Sequence, residues 1–195
     1  MKIKNKNIMI LILGLILAHA ANAFDNIKLY TGAGLDYSKY GICKNNISSK
    51  YDLHRAGGGI LLPILGIKFH EHFGIEAGYS FNRKITLQKS KEAEESYKVR
   101  NYYIDLMTFL PITDQFNIIG GFGIGRLMMQ KGQNVDSADI QNKFGWHVKF
   151  GIQHDFNNTI GVATVFNYQK ASNRLNNVKF IKNIKSIWIA MIYTI

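Results

Sequence analysis

Three features of this 195-residue sequence predict an all-β fold, an eight-stranded antiparallel up-and-down barrel that crosses a membrane. Its amino terminus reads as an export signal. Behind that signal, apolar and polar residues alternate with a period of two in segment after segment, the spacing at which side chains of a β-strand share a face. The connections between those segments alternate between short and long.

The start, Met1-Lys2-Ile3-Lys4-Asn5-Lys6, is basic, Ile8 to Ala18 is apolar, and Ala21-Asn22-Ala23 is a small-x-small site. These are the parts of a secretory signal peptide, and the apolar core is shorter than the roughly 20 residues of a spanning helix. Residues 1–23 are therefore expected to be cleaved, leaving 24–195 as one barrel domain. The later apolar stretch Ile60 to Ile67 is interrupted by Pro63 and Gly66, so the mature chain has no helical route through a bilayer. Its single cysteine, Cys43, cannot form an internal disulfide. The formal charge is +11, and removing the three leader lysines, which no acid matches there, leaves +8.

Eight segments read as strands. The first, Asn26 to Tyr37, sets Ile27, Leu29, Thr31, Ala33, Leu35 and Tyr37 against Lys28, Tyr30, Gly32, Gly34 and Asp36. The second, Gly58 to His70, alternates only in its latter half, where Leu65, Ile67 and Phe69 oppose Gly66, Lys68 and His70. Its first half contains Pro63, which removes a ladder donor, so a bulge or another irregularity is expected there. In the third, Phe73, Ile75, Ala77, Tyr79 and Phe81 oppose Gly74, Glu76, Gly78 and Ser80; in the fourth, Tyr102, Ile104, Leu106 and Leu110 oppose Asn101, Tyr103, Asp105 and Met107. The fifth opposes Ile118, Phe122 and Ile124 to Ile119, Gly121, Gly123 and Gly125. The sixth, Phe144 to Phe156, puts Phe144, Trp146, Val148, Phe150 and Ile152 on one face and His147, Lys149, Gln153 and Asp155 on the other. The seventh, Ile160 to Gln169, and the last, Lys185 to Ile195, repeat the pattern.

Short connections follow the second, fourth and sixth segments, at Glu71-His72, Pro111 to Gln115 and Asn157 to Thr159. Long polar ones, residues 38–57, 82–99, 128–143 and 170–184, follow the others. An even strand count with short turns at one end and long loops at the other is the pattern of a bacterial outer-membrane barrel. Closure is required because hydrocarbon offers no partner to an edge amide, and eight strands leave an interior that side chains can fill. The inner faces then carry a lumen charge network of Lys28, Asp36, Lys68, Glu76, Asp105, His147, Lys149 and Asp155, in which ion pairs are expected to satisfy most of the groups.

Phe73-Gly74-Ile75-Glu76-Ala77-Gly78-Tyr79-Ser80-Phe81, the Gly120-Gly121-Phe122-Gly123-Ile124-Gly125 run and the apolar-alternating carboxy terminus resemble the small outer-membrane β-barrels of Gram-negative bacteria, the OmpA, OmpX and opacity-protein-like group. The resemblance covers nearly all of the mature chain and implies an outer-membrane location. It also implies an assembly signal in the last strand, read by the barrel-assembly machinery. Here that signal is Tyr193 and Ile195, an aliphatic residue standing at the final position where the family has an aromatic one.

The candidates for chemistry are weak. His70-Glu71-His72 offers metal-ligand residue types, but a two-residue turn is expected to splay them. A serine hydrolase needs serine, base and acid within hydrogen-bond reach, and Ser80 with Glu76 and His147 is the single set that can be assembled. No catalytic, cofactor or metal residue is therefore expected. The last long loop holds Lys170, Arg174, Lys179, Lys182 and Lys185 with no acid, a basic surface suited to anionic partners. The expected role is non-enzymatic: support of the envelope and surface exposure, with adhesion or host interaction through the basic loops as its most specific form. The expected partners are outer-membrane lipid and lipopolysaccharide, the assembly machinery, and host glycans or surface proteins, with no nucleic acid. A narrow porin-like channel, a lipid A-modifying enzyme and a secreted lipocalin-like binder are the alternatives.

Overall fold

The computed structural model describes residues 27–42, 52–54, 56–90, 93–131, 140–141, 144–175 and 178–195. The leader and Cys43 lie outside them. Eight long strands form the wall: β1 (Lys28–Ile42), β2 (Ala56–His70), β3 (Phe73–Ser90), β4 (Ala93–Pro111), β5 (Phe116–Lys131), β6 (Phe144–Asp155), β7 (Ile160–Leu175) and β8 (Val178–Thr194). Each pairs antiparallel with the next. β8 returns to β1 in a ladder from Tyr30↔Thr194 to Ile42↔Ile181, and Ile195 N–H donates to the Leu29 carbonyl at 2.8 Å. The sheet is a closed, all-antiparallel barrel, as the sequence predicts. No helix among the described residues is long and apolar enough to cross a membrane.

Side chains alternate in and out as the period of two requires, and burial is inverted relative to a water-soluble fold. Leu35, Phe122 and Phe150 are 69%, 62% and 59% exposed on the outer wall, while Glu76, Asp105 and Lys149 are 3%, 1% and 2% exposed inside. An apolar face this continuous belongs in lipid. A lipocalin-like barrel would turn it inward, so that alternative does not fit.

The expected irregularity in β2 is a bulge at Leu62-Pro63. The register slips between Leu61 and Ile64 against both neighbours, and both bulged residues face outward. Before it Gly59 and Leu61 point inward; after it Ile64 and Gly66 do. One extra residue thus restores the alternation that Ile60-Leu61-Leu62-Pro63-Ile64 breaks in sequence.

The long connections differ from expectation. Much of residues 82–99 and 170–184 is ladder, with Ser90 paired to Ala93 and Leu175 to Val178. Two short strands, Asp52–His54 and Ile140–Gln141, pair with β3 and β7 at the same end. Backbone pairing does not need an apolar face once the strands leave the bilayer, so the hydropathy signal stops before the strands do. At the opposite end the turns are tight. Thr113 Oγ1 accepts from Gln115 N–H at 3.3 Å and Phe116 N–H at 3.1 Å; Asn157 Oδ1 accepts from Thr159 N–H at 2.9 Å and Ile160 N–H at 2.7 Å. Such side-chain bonds replace the ladder where the chain reverses.

Candidate functional site

The centre of the lumen is a charge cluster drawn from β3, β4 and β6. Glu76 and Asp105 are direct cross-strand partners, an arrangement of like charges that is unfavourable by itself. Lys149 answers it, with Nζ 2.5 Å from Glu76 Oε1 and 2.8 Å from Asp105 Oδ2. His147 Nδ1 lies 2.8 Å from Asp105 Oδ1, and Tyr30 and Tyr103 each donate a hydroxyl hydrogen to Glu76 at 3.0 Å. The ammonium also lies 4.6 Å from the Tyr103 ring centre. Glycines make the room: a Cβ on Gly66 would overlap the Tyr30 ring, and one on Gly78 the Tyr103 ring.

The eight residues expected to form one lumen network divide into three groups. Glu76, Asp105, His147 and Lys149 meet. Asp36 sits nearer the loop end, where Ser38 Oγ donates to it at 3.5 Å. Lys28, Lys68 and Asp155 line a cavity of about 410 Å³ at the short-turn mouth. Asp155 there accepts from Asn117 Nδ2 at 2.9 Å and Gln153 Nε2 at 2.7 Å, while Lys68 Nζ lies 4.5 Å over the Phe109 ring. Stagger around the barrel, which the sequence does not display, separates these levels.

The hydrolase set does not assemble. The Ser80 hydroxyl has no hydrogen-bond partner among the described residues, the imidazole pairs with Asp105 rather than Glu76, and Glu76 is held by the lysine and two tyrosines. The histidines of the first turn do not splay. Their rings lie 5.5 Å apart, because His72 N–H donates to His70 Nδ1 at 3.1 Å while His72 Nδ1 lies 3.2 Å from the Phe109 carbonyl. Those bonds engage Nδ1 of both rings, His72 Nε2 lies 3.3 Å from Glu71 Oε1, and no metal-holding group of three ligand residues occurs among the described residues.

Two bands of aromatic side chains, which the strand-by-strand reading did not single out, ring the outer wall. Toward the loops lie Tyr37, the Tyr79–Tyr102 stack at 4.6 Å, and Trp146 against Tyr168 at 5.0 Å. Phe73, Phe116, Phe156 and Tyr193 are exposed toward the turns. From Ile27 to Tyr37 the outer face of β1 climbs about 25 Å at roughly 3.3 Å per residue and a tilt near 40°, the height of the apolar band of a membrane barrel. The next outward residue is Lys39, whose cross-strand partner is Lys185. Lys170 and Lys182 are exposed on the adjoining wall of β7 and β8. The other two basic residues expected there, Arg174 and Lys179, are ladder partners, but their side chains fall outside those described. The residues expected to signal assembly, Tyr193 and Ile195, are exposed at the turn end of β8.

The family model for the outer membrane protein β-barrel domain matches residues 8–185. No curated protein matches the chain by sequence. Among solved structures, the chain is similar to the outer membrane protein OprG of Pseudomonas aeruginosa, at 13% identity over 87% of this chain and 95% of that one, with a TM-score of 0.62. It is similar to the attachment invasion locus protein Ail of Yersinia pestis, solved with the heparin analogue sucrose octasulfate, at 10% identity over 87% and 99% of the two chains and a TM-score of 0.58. A third likeness is to neisserial surface protein A, at 12% identity over 86% and 96%, with a TM-score of 0.56. At such identities the likeness is one of fold.

Proposed function

The chain belongs to the outer membrane protein β-barrel family, and from that premise we propose that it is a non-enzymatic integral protein of the cell outer membrane that holds basic hairpins at the surface for contact with anionic saccharides. The observation that carries this reading is the lysine group formed by Lys39, Lys170, Lys182 and Lys185, exposed just beyond the apolar band. At that height a lipid-facing ammonium meets headgroup phosphates, so lipopolysaccharide is the first partner. The same lysines, at the base of hairpins that continue beyond the band, are offered to sulfated host glycans. Ail's complex with a heparin analogue is a precedent in a protein of the same fold. Export by a leader cleaved near Ala23, and insertion by the barrel-assembly machinery through Tyr193 and Ile195, complete the reading.

A lysine beside an anionic surface contributes about 1 kcal/mol, so replacing Lys170, Lys182 and Lys185 together with glutamine is expected to weaken binding of a heparin oligosaccharide at least tenfold at low salt. The parent's binding is also expected to weaken as salt rises. Surface plasmon resonance on the refolded protein measures both. Unchanged affinity in the triple variant would sink the glycan reading.

A further inference from the structure

Among the described residues the lumen contains two direct cross-strand pairs of like charge. Glu76 and Asp105 form one, and Lys149 lies between them. Lys28 and Lys68 form the other, at the short-turn mouth, and among the described residues no carboxylate forms an ion pair with either. Like charges directly opposite one another destabilise a sheet, so the mouth keeps an unfavourable arrangement that the centre does not tolerate.

Four strands further round the eight-stranded wall, on the opposite side of the mouth, stands Asp155. Its oxygens are oriented by amide hydrogens of Asn117 and Gln153, which fix the carboxylate without neutralising it. Between the two walls lies the cavity of about 410 Å³, floored by Tyr30, Phe109 and Ile192. Its volume falls in the about 300–1,000 Å³ range of ligand pockets. One wall is cationic, the other carries the oriented carboxylate of Asp155, Asp114 also lines the cavity, and no described ion pair spans the gap.

We propose that this mouth binds a small zwitterion, its anionic group held by Lys28 and Lys68 and its ammonium by Asp155. Phosphoethanolamine has this chemistry, either as a free solute or as the headgroup of a phospholipid in the adjoining leaflet. The guest neutralises the lysine pair and the oriented carboxylate together. A simple anion leaves Asp155 without a cation, and a simple amine leaves the lysines facing each other.

The full barrel, refolded in an uncharged maltoside detergent, is titrated calorimetrically with phosphoethanolamine, inorganic phosphate and ethanolamine. Saturable binding of phosphoethanolamine is expected, at least about tenfold tighter than either half-molecule, one charge-assisted contact being lost in each. K68Q and D155N are each expected to weaken it by a similar factor, with heat-modifiable migration in gels confirming that the variants fold. Phosphate binding as tightly as phosphoethanolamine, or no binding of any of the three, overturns the proposal. Repeating the titration in phosphatidylethanolamine and phosphatidylglycerol nanodiscs separates the sources. Loss of binding in the former marks the lipid headgroup as occupant, and equal binding in both marks a free solute.

Discussion

Lys149 is the residue on which the interior depends. Its ammonium is buried among Glu76, Asp105 and the faces of Tyr103 and Trp188, so removing it leaves two carboxylates directly opposed in a water-poor lumen. Breaking a buried pair from one side costs about 3–5 kcal/mol, and Lys149→Met is expected to fall in that range. Glu76→Gln is expected to cost less, because Lys149 keeps Asp105, the amide oxygen can still accept from one tyrosine hydroxyl and the amide NH2 can donate to the other. Urea unfolding followed by Trp188 fluorescence in a Trp146→Phe background, the Trp188 ring centre lying 5.8 Å from the ammonium, ranks the two. If K149M matched the parent in stability, the cluster would have no part in holding the barrel together.

At the scale of the strand, glycine positions decide which tyrosines reach the cluster. A side chain at Gly66 overlaps the Tyr30 ring, whereas one at Gly58 meets nothing nearer than the Asp36 carbonyl oxygen at 3.7 Å. Gly66→Val is therefore expected to cost about 1–3 kcal/mol, the usual penalty of overpacking, while Gly58→Val stays near neutral; thermal unfolding followed by gel migration compares them. The same strand shows what sequence reveals. The alternation of Leu65, Ile67 and Lys68 was legible because lipid and lumen impose opposite chemistry on adjacent positions, and Pro63 marked the bulge because it lacks a donor. The ladder past Phe81 was not legible, since Asn82 to Ser90 is largely polar and backbone pairing leaves no signature in hydropathy. Nor were the contacts of Glu76, which joins Lys149 across 73 positions through the stagger of a closed sheet. Tyr30 and Tyr103 did lie on the predicted inner faces, but nothing local identified them as donors to one carboxylate.

For the molecule as a whole, closure and filling together determine permeability. Eight strands enclose a lumen no wider than its own side chains, and here Tyr30, Ile64, Tyr103, Met107 and Trp188 crowd the level of the charge cluster, each buried. An ion entering from the short-turn mouth meets Lys28 and Lys68, and then this layer of buried side chains. The charges and the rings obstruct by different means: a neutralised pair lowers an electrostatic barrier, but only lost volume opens a path. Planar bilayers containing the refolded protein are therefore expected to show no steady single-channel steps, and E76Q is expected to leave them silent. Tyr103→Gly combined with Trp188→Gly, which removes bulk from facing walls, is the change expected to introduce conductance. Stable steps from the parent would replace the closed scaffold with the narrow pore, and conductance in E76Q alone would assign the seal to the ion pair rather than to the packed rings.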